Sequence, residues 1–415
     1  MSEEIHDIYE FHVNTNSMDD NFVGIKAENN KIKVCFPLGY GLSITEENRK
    51  EDAKLLIKVL SRFQSRASNL FPRYCENKIE HNKFPIHAYL NVIENYLAHG
   101  YYVETKSIYS GNSQGKINWH MTVNKRRPYP QDGNFFYLNF ISKKRVFSSS
   151  GLITKIHEYC VEESYKKIGW IFCKHEPKKA GIVFQEKEFI EVLDQKLSHT
   201  FNDSEINLFL SMKDMIRFIG REGENSRFYF GTNKFEYIWE KLIDSSFGIK
   251  NKDYYFPHTT WYLGKLGLHN QSALEPDTIM LSNEKIFILD AKYYKYGITG
   301  DPKDLPRSTS INKQITYGEF IATESKFKTS DKKSPIVFNA FILPFDKYKN
   351  PFKKNNNMVY IGEARGNWKS LGISYERVHG ILLDVKWLML KSGNKSSKDI
   401  KGLADFIENN SKTSI

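Results

Sequence analysis

The chain has 415 residues and 48.5 kDa, with 60 lysines and arginines against 49 aspartates and glutamates, a net charge of +11 and a pI near 9.1. That length suits two or three domains with real cores, and the basic balance suits a polyanionic partner. An acidic, polar start (Met1 to Asp7) excludes a visible secretory signal, no apolar run is long enough to span a bilayer, and Cys35, Cys75, Cys160 and Cys173 lack any Cys-x-x-Cys pairing, so free thiols in a reducing cytoplasm and no membrane contact are expected.

Residues up to about 110 mix short strands, such as Ile32 to Phe36, with helical patterns over Glu46 to Phe63 and Ile86 to His99. A β-rich piece is expected from Tyr101 to Val146, punctuated by Gly111, Gly115 and Pro128 to Gly133. The stretch Gly111 to Ile117 has three residues between its glycines and an isoleucine after Lys116. A phosphate loop needs four residues and a Ser or Thr there, so this chain is expected to bind no nucleotide itself. Lys125-Arg126-Arg127 and Lys143-Lys144-Arg145 bracket the aromatic-rich run Tyr129 to Phe140, which fits either a phosphate-tracking surface or a hairpin with solvated ends.

Thr154 to Trp170 reads as an amphipathic helix with Ile156, Tyr159, Cys160, Ser164 and Ile168 inward. Cys173 and His175 are close in sequence, but two potential ligands without two more make no zinc site. Helices over Glu186 to Leu197 and Glu205 to Ile219 follow, and the polar break Arg221 to Ser226 marks a boundary. The expected division is 1–175, a mixed α/β region; 176–226, a helical connector; and 227–415, a third region of helix, hairpin, helix and later strands Pro335 to Leu343 and Val378 to Val385. The basic, polar loops Gly297 to Asn312, Lys326 to Ser334 and Lys349 to Met358 interrupt that region, and Leu403 to Ile407 suits a last helix.

In Gly231 to Ile243 the residues Phe235, Ile238, Trp239, Leu242 and Ile243 recur at helical spacing, with Thr232 or Asn233 as candidate caps. Glu236 and Glu240 lie four apart beside that stripe, and either could serve a site; Glu236 could equally close a capping box with Asn233, and Glu240 could be a solvated charge.

Leu274-Glu275-Pro276-Asp277-Thr278-Ile279-Met280 and Lys285 to Tyr294 then form a predicted hairpin around Asn283-Glu284. With those two residues as the loop, Asp277 falls opposite Asp290, their Cβ atoms about 4.5–5.5 Å apart. Asp290 and Lys292 share one strand face. Two carboxylates this close repel unless a cation lies between them, and a hard divalent ion with oxygen ligands is the usual answer. One or two Mg²⁺ ions are expected, with Mn²⁺ able to substitute, held by Asp277, Asp290, the backbone carbonyl of Ala291 and Glu240. Lys292 would orient an attacking water. Downstream, a helix over Ile311 to Phe320 would set Lys313, Gln314 and Tyr317 on one turn, able to hold a phosphate or order water, or would be an ordinary amphipathic helix with Ile315 and Phe320 inward.

These blocks, in this order, resemble the PD-(D/E)XK nuclease superfamily. Asp290-Ala291-Lys292-Tyr293-Tyr294-Lys295 resembles the corresponding strand of McrC-like subunits, and Gly115 to Val123 a Gly-basic-Ile-x-aromatic-x-x-Thr element of their N-terminal part. Within that group the chain is similar to LlaJI-type restriction endonuclease subunits, through the Phe-x-x-x-Trp-Glu helix Phe235 to Glu240. The resemblance covers mainly Lys116 to Phe320. It implies an α+β multidomain chain, with an N-terminal mixed α/β partner- or DNA-binding region followed by a PD-(D/E)XK nuclease domain whose central mixed sheet is flanked by helices. It further implies Asp277 and Asp290 as metal ligands, Lys292 as the catalytic lysine, double-stranded DNA as substrate, and a McrB-like AAA+ GTPase as partner.

The function expected is therefore a Mg²⁺-dependent endonuclease subunit of a restriction system in the cytoplasm, with self-association through the nuclease domains as a way to cut both strands. The rivals are a self-sufficient type II restriction endonuclease and a non-catalytic basic nucleic-acid-binding or assembly protein whose Asp-x-Lys is incidental.

Overall fold

The computed structural model describes residues 9–28, 31–67, 84–111, 115–148, 151–172, 177–223, 228–328, 331–370, 372–391 and 394–412. The chain forms two compact units, one of Met1–Asn82 with Arg227–Ile415 and one of Lys83–Ser226. The division drawn from the sequence at 175 and 226 groups residues differently, because strand pairing carries the N-terminus into the C-terminal part: Val23–Glu28 lies antiparallel to Phe228–Thr232 in a sheet that also holds Lys31–Phe36 and Tyr9–Val13.

The central sheet of that larger unit runs, edge to edge, Thr278–Ser282, Lys285–Ala291, Val337–Phe345, Arg377–Asp384, Met358–Arg365. Its three middle strands are parallel and its two edges antiparallel. Middle strands covered on both faces read as continuous apolar runs, and all nine residues of Val337–Phe345 are buried. One face, with Ile286, Ile288, Phe341 and Leu343, packs under helix Ser308–Thr323 through Ile315, Tyr317 and Ile321. That helix sits close because Gly318 has no side chain: a Cβ there would lie 2.7 Å from Asn339 Nδ2. Helix Phe235–Phe247 buries Phe235, Ile238, Trp239, Leu242 and Ile243, the stripe its spacing predicts, and also Phe247.

The hairpin takes the expected register, Thr278 opposite Leu289 and Ser282 opposite Lys285. Asn283 and Glu284 both have positive φ (50° and 60°), as a two-residue primed turn requires. A glutamate there pays a steric penalty that glycine avoids, so Glu284→Gly is expected to stabilise the chain by about 0.5–1 kcal/mol. Urea denaturation would check this; a lower midpoint would show that Glu284 makes a compensating contact.

The smaller unit packs helices Ile86–His99, Leu152–Ile168, Glu186–Leu197 and Asp203–Glu222 together, with Ile156, Tyr159, Cys160, Ser164 and Ile168 buried as their spacing predicts. Its sheet orders Glu104–Gly111, Ile141–Ser148, Lys116–Ile117. The expected β-rich piece also holds helix Trp119–Lys125, started by Asn118, whose side chain accepts from the Met121 N–H at 3.0 Å. The last helix is longer than predicted, Ser397–Lys412. Cys35 and Cys160 are buried free thiols; Cys75, Cys173 and His175 lie outside the described residues, as does part of Gly111 to Ile117. Among the described residues, no helix is long and apolar enough to cross a membrane.

Candidate active site

The hairpin register extends one residue past its last paired rung. Asp277 Oδ2 accepts the Ala291 N–H at 2.8 Å, which ties the first carboxylate to the strand carrying the second. The Lys252 ammonium donates to the Asp277 carbonyl and stands 3.3 Å from Asp244 of helix Phe235–Phe247, so helix and hairpin are joined at this point. Asp290 is buried, and Lys292 Nζ lies 2.6 Å from its Oδ2.

Burial, the neighbouring charges of Asp290 and Glu240, and a hydrogen bond to Asp290 push Asp277 up to about 7, against the opposing Ala291 N–H. Burial alone would lower the Lys292 ammonium, but the Asp290 charge and hydrogen bond outweigh it and hold Lys292 above the ordinary lysine value. Glu240 is raised by burial and by Asp290, with Lys241 and Lys292 opposing. The second glutamate of the helix is placed otherwise: Glu236 acts on Tyr293 and Glu240. Neither expected cap forms, since Thr232 Oγ1 accepts from the Lys234 N–H at 3.0 Å and Asn233 Oδ1 accepts the Tyr229 hydroxyl at 3.1 Å.

Trp239 sets this helix. It is fully buried, donates its indole N–H to the Ile342 carbonyl at 3.3 Å, and meets the Tyr293 ring at 6.3 Å. Glu240 is thereby carried toward the end of the strand Lys285–Ala291. Tyr293 is gripped from the N-terminal segment: the Leu38 N–H donates to its hydroxyl at 2.6 Å, and Asn16 Nδ2 to its carbonyl at 3.2 Å. Sequence reasoning missed Lys252, Asn16 and Leu38, whose partners are far away in the chain; only Tyr293, next to Lys292, carried a local signal.

The three candidates on helix Ser308–Thr323 separate. Lys313 is exposed, its Nζ 5.6 Å from the Tyr317 ring centroid. A hydrogen bond to Tyr317 raises it, burial opposes, and the Asp290 and Asp277 charges add to the rise. Tyr317 donates to the Glu275 carbonyl at 3.2 Å and is raised mainly by burial. Gln314 turns inward, 1% exposed, its Nε2 donating to the Ile288 carbonyl at 2.8 Å while its Oε1 has no hydrogen-bond partner. Gln314 thus ties the helix to the strand that carries Asp290, and Ile315 is buried as the amphipathic reading expects.

Among the described residues, no three His, Cys, Asp or Glu side chains converge as a metal cluster. The expected three-carboxylate set is therefore not assembled: Asp277 and Asp290 meet, and Glu240 stands within electrostatic range of both. The donor chemistry still fits a hard cation: burial first, and then the like charges of Asp290 and Glu240, raise Asp277, and a divalent ion between the two aspartates and the Ala291 carbonyl would relieve that repulsion.

The family model of the LlaJI restriction endonucleases matches residues 22–361. A relative, the Type II restriction enzyme BsuMI component YdjA of Bacillus subtilis (strain 168), is 24% identical over 400 residues, 88% of this chain and 81% of its own length. Among solved structures, a chain of the refined half-complex from the tetradecameric assembly of Thermococcus gammatolerans McrB AAA+ hexamers with bound McrC aligns over 93% of this chain and 83% of that one, at 14% identity and a TM-score of 0.35.

Proposed function

Since the chain belongs to the LlaJI restriction endonuclease family, we propose that it is a metal-dependent endonuclease subunit of a restriction system, hydrolysing phosphodiester bonds of double-stranded DNA at Asp277, Asp290 and Lys292. The observation that carries this reading is the pairing of two strands by Asp277 on the Ala291 N–H, with Lys292 on Asp290 beside it. A mixed five-stranded sheet with a parallel centre, an antiparallel hairpin edge and helices on its faces supports a PD-(D/E)XK arrangement.

Asp277, Asp290 and the Ala291 carbonyl would hold Mg²⁺ or Mn²⁺, with Glu240 joining directly or through water. The bound ion would supply charge neutralisation at the phosphate and acidify the attacking water. Lys292 holds Asp290 in place and offers its remaining N–H donors to the water and the developing charge. Lys313, exposed and within the field of both aspartates, offers a second positive charge to a phosphate oxygen. Glu240, raised above an ordinary glutamate, is suited to orient the water or take its proton. Glu240→Gln is accordingly expected to lower the cleavage rate about 10²-fold or more, and Glu236→Gln to leave it within about threefold. Single-turnover rates on one duplex decide between them, and equal losses would remove Glu240's special place.

The relative's name, a component of a restriction enzyme, and the McrC-like wording around Asp290 support work beside another subunit, a McrB-like AAA+ GTPase. The test is cleavage of long DNA by the purified chain with Mg²⁺ or EDTA, with and without that partner and GTP. Metal-dependent cutting only with partner and GTP is expected. Site-specific cutting by the chain alone would favour a self-sufficient type II enzyme, and no cutting in any mixture would overturn the nuclease reading.

A further inference from the structure

Between helix Phe235–Phe247 and Asp277 the chain makes an excursion that the site does not explain. Thr260–Tyr262 and Leu268–Asn270 form a two-stranded antiparallel ribbon, Trp261 opposite His269 and Tyr262 opposite Leu268. Its base is closed by Leu274 N–H to the Pro257 carbonyl and Gln271 N–H to the Thr259 carbonyl, both at 2.9 Å, and it is anchored by the buried Phe256 and by Leu274 at the sheet core. Beyond that base, five large apolar side chains within eight residues stand in solvent: Trp261 (61% exposed), Tyr262 (81%), Leu263, Leu266 (75%) and Leu268 (66%). Single exposed apolar residues are ordinary, but a contiguous set on a ribbon with no core of its own marks an interaction site.

Charge selects the occupant. From His258 to Ala273 there is no acidic residue, and Lys265 adds a positive charge. At the foot of the ribbon the exposed Tyr254 lies under Lys326, whose Nζ is 4.5 Å from its ring centroid. A two-stranded ribbon is narrow enough to enter a DNA groove, aromatic side chains stack on bases, and leucines are among the wedges that part base steps. The ribbon's base is near the site: Leu274 is three residues from Asp277, at most about 11 Å, or roughly three base-pair rises along one strand, and the exposed residues extend outward from that base.

We infer that the ribbon 257–274 is a DNA-engaging element that enters a groove beside the cleaved phosphate, with Trp261, Tyr262, Leu266 and Leu268 as its contacts. The inference rests on the nuclease reading for its choice of ligand, yet it concerns binding and is tested without cleavage. In full-length chain carrying Asp290→Ala, so that the probe stays intact, a fluorescein-labelled duplex is titrated against the parent, against Trp261→Ala with Tyr262→Ala, and against Phe at both positions. The alanine pair is expected to weaken binding at least about tenfold and the phenylalanine pair to stay within about threefold, with unchanged thermal unfolding because neither ring is packed in the core. Equal affinity of parent and alanine pair overturns the inference, including where the alanine pair instead converts a dimer to a monomer in sedimentation, which would give the ribbon to a second copy. No duplex affinity in the parent overturns it as well. Ribbon-dependent binding by a chain that never cuts would sink the nuclease reading alone, whereas cutting with ribbon-independent binding would sink this inference alone.

Discussion

Asp290→Ala and Lys292→Ala are each expected to abolish detectable cleavage, by at least about 10³-fold and about 10²–10³-fold respectively, while the chain stays folded. Asp290 sits between the other charges of the centre: Lys292 Nζ is 2.6 Å from it, and both Asp277 and Glu240 are raised by its presence. Its removal takes away one oxygen ligand and at the same time relieves repulsion, so activity is lost without loss of stability. Lys292→Ala acts oppositely on stability, since it leaves the buried Asp290 without its ion-pair partner and removes a positive charge that favours ionised Glu240. Lys292→Arg is not expected to rescue activity, because a planar fork does not replace a compact ammonium that must serve both Asp290 and a water. The readout is single-turnover cleavage alongside urea denaturation of the metal-free chain. Cutting unchanged in either alanine variant would remove these residues from the site, and lost cutting together with a collapsed unfolding transition for Asp290→Ala would reduce Asp290 to a structural role.

The parts of this site that were legible in the sequence are those fixed by short-range pattern. A polar two-residue loop between apolar runs set the hairpin register, and Thr278 does face Leu289. Alternation put Asp290 and Lys292 together, and the helical stripe from Phe235 to Ile243 is the buried one. What was hidden depends on distant partners. No local pattern shows that Val23–Glu28 pairs with Phe228–Thr232, or that Leu38 and Asn16 hold Tyr293. Gln314 has a polar side chain at a helical position that either face could take; it turns inward because the Ile288 carbonyl accepts its amide. Glu236 and Glu240 could not be told apart locally because helix rotation depends on distant contacts such as Trp239 on the Ile342 carbonyl, across more than a hundred residues; in the fold it is Glu240 that feels the Asp290 charge. The ribbon at 257–274 was unread because its exposed leucines and aromatics look like core residues until the fold leaves them outside.

Asp277→Asn is expected to abolish cleavage and yet stabilise the metal-free chain by roughly 2 kcal/mol at pH 8. Asp277 is pushed up to about 7, well above its usual value of 3.8, by burial first and then by Asp290 and Glu240. The folded chain therefore binds this proton more tightly than the unfolded one, and folding stability must fall as pH rises between about 4 and about 7 and level off above it. The full span would be worth about 4 kcal/mol, reduced because Asp290 shares the repulsion. Asparagine keeps an oxygen for the Ala291 N–H and carries no charge, so its advantage should be large at pH 8 and nearly gone at pH 4. A divalent ion between the aspartates favours their charged forms, so adding Mg²⁺ or Mn²⁺ should flatten the slope in the parent and do little to the asparagine variant. Urea midpoints of both proteins from pH 4 to pH 8, with EDTA and with Mn²⁺, carry the whole prediction. Parallel curves for the two proteins would mean that Asp277 titrates as an ordinary exposed carboxylate, and the case for a cation at this pair of strands would lose its physical basis.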